Sequence, residues 1–246
     1  MPLLEIAAGS LESALAAQAG GAGRVELCGN LAGGGVTPSY GLVAIARDRL
    51  SIPLHVLIRP RTGDFLYGEA ELEIMLRDVD ACVRLGCDGV VIGALDADGR
   101  VDRSFCRTLV EAAGPLGVTF HRAFDAARDP AEALEDVVVL GCERVLTSGG
   151  CPSALEGAEA IAARVRQSAG RIRVMAGAGI RPDNVREVLG RSGVDEVHAS
   201  ARTLQRSAMR WRNERLLDLP VDRDETARAT VAALVAELMP ADGVAG

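Results

Sequence analysis

The chain has 246 residues, 48% of them hydrophobic, and sets 27 basic against 34 acidic side chains for a net charge of -7. That is enough apolar material for one large core, and the acidic balance with scattered basic residues makes neither nucleic acid nor a membrane surface an expected partner. Every basic side chain is arginine, so Schiff-base chemistry is excluded, whether on a substrate carbonyl or on pyridoxal phosphate.

The stretch from Met1 to Gly20 carries Glu5 and Glu12 and no basic region ahead of an apolar run, unlike a signal peptide. No apolar run reaches the ~18 residues that a bilayer span needs, and the expected location is the cytoplasm. From there, short apolar runs alternate with helical patterns. Strands are predicted at Leu3–Ala7, Val25–Cys28, Leu54–Arg59 and Gly89–Leu95, then at Val118–His121, Arg144–Ser148, Ile172–Ala176 and Glu196–Ser200. Amphipathic helices are predicted at Leu11–Ala19, Ala70–Leu85, Asp102–Ala113, Pro130–Leu140, Ala154–Gln167, Pro182–Leu189 and Glu225–Leu238. Ser10, Asp102 and Ser153 read as caps, with Pro130 and Pro182 in first turns. Eight such units predict an α/β fold, a single-domain TIM (β/α)8 barrel over residues 1–240, with a flexible C-terminal tail at 241–246. The first βα turn, Ala7-Ala8-Gly9-Ser10, is not the glycine fingerprint of a doubly wound sheet.

Strand alternation then maps the interior. Leu4, Ile6, Val25, Leu27, Val56, Ile58, Val118, Phe120, Val197 and Ala199 should face the helices. Their alternates face the axis: Glu5, Ala7, Glu26, Cys28, His55, Leu57, Arg59, Thr119, His121, Leu146, Ser148, Met175, Gly177, Glu196, His198 and Ser200. Cys28, Arg59, His121, Ser148 and Ser200 fall at the carboxyl ends of strands, where barrel enzymes work, with Glu26 and His198 one layer deeper. Glu26 and Cys28 share a strand face, and a buried carboxylate needs a partner or a task. Glu26, Arg59 and His121 are the catalytic candidates, with Arg59 or His121 as the partner of Glu26; the alternative is a structural ionic plug. For His55 and His198, satisfied core histidines are expected. Cys82, Cys87, Cys106, Cys142 and Cys151 show no metal spacing and read as small hydrophobes.

A second group suggests a small-molecule anion. Met175-Ala-Gly-Ala-Gly179 and His198-Ala-Ser-Ala-Arg202 close the last two strands, where barrels commonly bind phosphate. Gly177, Gly179, Ser200, Arg202 and Ser148 are therefore anion-binding candidates; the glycines could equally serve a tight turn. Arg59 and Arg61 could clamp a carboxylate from across the mouth, or they could equally be a structural pair with Asp64.

The runs Arg24-Val-Glu-Leu-Cys28, Gly34-Gly-Val-Thr-Pro38-Ser, Ile58-Arg-Pro-Arg61, Gly63-Asp-Phe65 and Thr119-Phe-His-Arg-Ala-Phe-Asp125 resemble the CutC family, the copper homeostasis protein family. So do Arg144-Val-Leu-Thr-Ser-Gly149, Met175-Ala-Gly-Ala-Gly179, Glu196-Val-His-Ala-Ser200 and Met209-Arg-Trp-Arg-Asn213. The resemblance spans nearly the whole chain. It implies a cytoplasmic TIM barrel, a homodimer or higher homo-oligomer, associated with copper homeostasis and proposed to bind Cu(I), with Cys28 as the metal ligand. Family members often carry a cysteine on the first strand, where this chain reads Glu5-Ile6-Ala7. Cu(I) prefers two or three soft ligands, so Met175, His121, Cys151 or a subunit partner would have to complete a site. The competing expectations are an enzyme of isomerase or lyase type acting on a small anionic or phosphorylated metabolite, and a non-catalytic binding protein.

Overall fold

The computed structural model describes residues 1–215 and 220–239; the expected tail at 241–246 lies outside the described residues. Eight parallel strands close in sequence order into a barrel: β1 (Leu3–Ala8), β2 (Arg24–Leu27), β3 (Leu54–Leu57), β4 (Gly89–Ile92), β5 (Gly117–Phe120), β6 (Arg144–Thr147), β7 (Arg173–Gly177) and β8 (Glu196–Ala199). Around it run α1 (Leu11–Ala19), α2 (Tyr40–Arg49), α3 (Glu69–Leu85), α4 (Arg103–Ala113), α5 (Pro130–Val139), α6 (Ala158–Ser168) and α7 (Val185–Ser192). An antiparallel ribbon of β9 (Arg202–Gln205) and β10 (Arg223–Thr226) precedes α8 (Arg228–Leu238). No helix among the described residues is long and apolar enough to cross a membrane.

The pleat sets the two faces. Ile6, Val25, Leu27, Val56, Ile58, Phe120 and Val197 are fully buried in the shell between strands and helices, as alternation predicts. Each such burial contributes roughly 1.5–3 kcal/mol, so this shell holds the barrel closed. Inside, Cys28, Leu57 and Val91 form a small apolar patch against Leu31, and most of the remaining inward side chains are polar. Ser10 caps α1 by accepting from the Ser13 amide, Asp102 caps α4, and Asp129 with Pro130 opens α5.

Several local expectations change. Ser153 accepts from the Glu156 amide in a turn, and α6 begins only at Ala158. Pro182 likewise precedes α7 by a turn. Glu225 lies in β10 rather than in the last helix, because its carboxylate accepts from the Ser10 and Ser13 hydroxyls at the start of α1 and pins the ribbon there.

Candidate functional site

The floor of the interior is an ionic lattice set by strand register. Glu5 stands beside Arg24 on β2 and beside His198 on β8. Arg24 Nε donates to Glu5, and Arg24 Nη2 donates to Glu196 Oε2 at 2.7 Å. Arg144 Nε donates to the same Glu196 oxygen at 3.1 Å, and its Nη1 donates to Thr119 Oγ1 at 3.2 Å. Burial alone would raise the pKa of Glu5, but Arg24 and His198 hold it well below the usual carboxylate range. Arg24 and Arg144 are absent from the predicted inward set, although each stands two residues before a member of it, Glu26 and Leu146.

Above that floor lie Glu26, His198 and Cys28. His198 Nδ1 is 2.7 Å from Glu5 Oε1, and because Glu5 is ionised the ring hydrogen sits on Nδ1. Its other nitrogen, Nε2, therefore faces Glu26 Oε2 at 3.7 Å as the titrating atom. Cys28 Sγ lies 3.4 Å from the same oxygen. Burial raises the Glu26 pKa, and burial together with the adjacent carboxylate pushes the Cys28 thiol well up, which leaves it a protonated donor. Burial would lower His198, but its hydrogen bond to Glu5 and the Glu26 and Glu5 charges raise it. Glu26 and His198 thus form an electrostatically coupled pair, 3.7 Å apart. The expected partnership of Glu26 with Arg59 or His121 does not form: alternation gives the face a side chain takes, and only closure of β8 onto β1 brings His198 to Glu26. His198, expected as a satisfied core histidine, is satisfied at Nδ1 by Glu5 and also forms a wall of the pocket.

Arg59 and His121 occupy the opposite side. The Arg59 guanidinium is buried at 6% exposure and lies over the Phe65 ring at 4.9 Å. It donates to the carbonyls of Gly34 (3.3 Å), Gly35 (2.9 Å) and Gly63 (2.7 Å), and its Nε has no partner. Its hydrogen bonds all end on backbone carbonyls, so its charge is uncompensated among the described residues. His121 follows β5 and accepts the Ala123 amide hydrogen at Nδ1, 3.1 Å away, while Nε2 is buried without a partner among the described residues. Burial, with the Arg59 charge beside it, lowers its pKa to about 3. His121 therefore stays neutral at physiological pH.

These groups line one cavity of about 550 Å³ at the carboxyl ends of the strands. Glu26, Cys28, Arg59, His121, Gly179, Ser200 and Arg202 all reach it, together with Arg181 and Thr230, the latter in the first turn of α8. The chain leaves β7 and β8 through backbone in the left-handed region, at Ala178 (φ 78°), Gly179 (φ 70°) and Ala201 (φ 48°). A non-glycine residue there costs roughly 1–2 kcal/mol, and such strain gathers at functional sites. Three candidates lie outside the cavity. Arg61 is committed to Glu71 (2.6 Å) and Asp64 (2.9 Å), the structural alternative. Ser148 donates its amide to the half-buried Asp125 carboxylate, and its hydroxyl has that carboxylate (3.0 Å) and the Cys151 carbonyl (2.6 Å) as alternative acceptors. Gly177 sits beneath the pocket, where a Cβ would meet Leu146 at 2.5 Å and His198 at 3.3 Å; its glycine serves ring packing.

A closed (β/α)8 barrel with a pocket at the strand ends defines the chain as a TIM-barrel protein. It belongs to the CutC family, whose signature matches residues 2–203. It is 60% identical to the family protein CutC of Xylella fastidiosa strain Temecula1 over 94% of this chain and 87% of that protein. With the CutC of Xanthomonas axonopodis pv. citri strain 306 it shares 57% identity over 97% of this chain and 99% of the other. The crystal structure of a CutC from Streptococcus agalactiae, named as a candidate copper homeostasis protein, superposes with a TM-score of 0.78 at 34% identity. That match covers 81% of this chain and 99% of the other.

Proposed function

We propose that the pocket binds a compact anionic metabolite and carries out acid–base chemistry on it. Arg59 receives negative charge from one side, and the β7 and β8 loops with Arg202 receive it from the other. Glu26 and His198 exchange the proton. The observation that carries this reading is Arg59: a buried guanidinium hydrogen-bonded only to carbonyls is costly unless an anion completes it. Its fork geometry suits phosphate and carboxylate alike.

Copper(I) fits the donor set less well. Of the thiols, Cys28 alone lines the cavity, and Ala7 occupies the neighbouring position on β1. Met175 sulfur instead accepts from Arg24 Nη2 at 3.4 Å in the floor, and Cys151 is outside the cavity lining. The donors that do converge, from Glu5, Glu26 and His198, are hard carboxylates and an imidazole, and Glu5 is already committed to Arg24. A soft ion needs two or three sulfur ligands, which this pocket does not supply from one chain.

Thermal unfolding across a panel of sugar phosphates and short hydroxy and keto acids tests the proposal. A ligand at about 100 times its dissociation constant should add roughly 2.7 kcal/mol of stability to the wild type and little to Arg59→Met. A panel without a single stabilising anion, or a shift that survives intact in Arg59→Met, would sink it.

A further inference from the structure

We infer that His121 presents its Nε2–H to the carbonyl oxygen of the substrate, so that the pocket takes an α-hydroxy aldehyde or ketone bearing an anionic group. The inference rests on the acid–base reading above and names the substrate class and the residue that selects it.

Three features of the ring lead there. Nδ1 accepts the Ala123 backbone hydrogen at 3.1 Å, and an accepting ring nitrogen carries no hydrogen, so the hydrogen is on Nε2. That Nε2–H is buried without a partner in a residue that lines the cavity. An unpartnered buried donor in a residue of the pocket wall calls for an explanation, and a ligand acceptor reached by a small rotation of the wall provides it. The ring is also held in place: Phe65 lies 5.2 Å away between centroids, and Gly93 backs it so closely that a Cβ there would meet ring atoms at 2.5 Å. The charged neighbour facing it is Arg59, which disfavours an imidazolium.

A neutral imidazole donates a hydrogen bond without giving up its proton, which suits a developing enolate oxygen. The step balances without an external oxidant or reductant. Glu26 takes the proton from the carbon beside the carbonyl, the C–H electron pair becomes the new C=C bond, and the carbonyl π pair moves onto oxygen. His121 holds that oxygen. Return of the proton to the other carbon of the enediol yields the isomeric aldehyde or ketone, and His198 can relay the hydroxyl proton.

Nitrogen-15 NMR of the histidines in the wild-type protein, free and with phosphoglycolohydroxamate as an enediolate-like probe, is the test, with inorganic phosphate as the reference ligand. The expected result is a protonated Nε2 and bare Nδ1 for His121 across pH 5–8, and a downfield shift of its Nε2–H on adding the hydroxamate. In His121→Phe, hydroxamate affinity should fall by about tenfold or more while phosphate affinity holds, and His121→Gln should recover part of the loss through its amide donor. An Nδ1–H tautomer, a titration within that range, or equal loss of both ligands would overturn the role of His121. If neither phosphate nor hydroxamate binds the wild type, the anion reading falls, and the substrate class with it.

Discussion

His198 gives its Nδ1 hydrogen to Glu5 at 2.7 Å, whereas His121 uses Nδ1 to accept from Ala123 at 3.1 Å, so one type of side chain is set to two tasks by its neighbours. The difference shows in acid. His121 has a native pKa of about 3, while an unfolded histidine titrates near 6.5. Between those values the unfolded chain binds a proton that the native ring refuses, so stability falls as pH drops through that window. His55, lowered by burial to about 4, acts in the same direction, and His198, raised, acts in the opposite one. Urea unfolding of His121→Gln between pH 6 and pH 4 should lose one proton of this slope, roughly 1 kcal/mol per pH unit. An unchanged slope would show that His121 is protonated in the native state. The face taken by Glu26, Cys28, Arg59 and His121 was legible from alternation alone. Their partners were not, because Glu26 meets His198 across the closing seam of the barrel, through contacts 172 residues apart in sequence.

Two glycines, one opening β4 and one just past its end, show how a strand prepares the site. At Gly89 a Cβ would lie 2.6 Å from the His55 ring, and at Gly93 it would lie 2.5 Å from His121 Cε1 and 3.1 Å from the Ala123 methyl. Gly93→Ala should therefore cost about 1–3 kcal/mol by overpacking and should break the Ala123 amide bond to Nδ1. Denaturant unfolding and the Ala123 amide shift check both, and a fully stable variant would mean that the ring has room to move. All eight strands were legible because each is a short apolar run between turn signals. The helix α2 was not among the predicted ones: only Val43 and Ala46 of its residues are buried, while Tyr40 and Ile45 are exposed, which blurs its apolar period. Nor was the β9–β10 ribbon, whose residues are mostly polar and exposed and whose strands are joined through a long connection.

The whole molecule separates support from chemistry along the barrel axis. Arg24, Arg144, Glu5 and Glu196 neutralise one another in the floor, and the apolar shell outside carries the hydrophobic stabilisation. Among the described residues the mouth is left with groups whose needs are unmet from within: a guanidinium without a carboxylate, an imidazole hydrogen without an acceptor, and a buried carboxylate 3.7 Å from His198 Nε2. The most direct measurement of whether these groups work together is proton NMR of α-hydroxy aldehyde and ketone phosphates incubated with the protein in deuterated water. Enolisation in the pocket predicts deuterium at the carbon beside the carbonyl of at least one compound that binds, with exchange slowed about a hundredfold or more in Glu26→Gln. Binding without any exchange above the buffer rate, or exchange that persists unchanged in Glu26→Gln, would contradict the account.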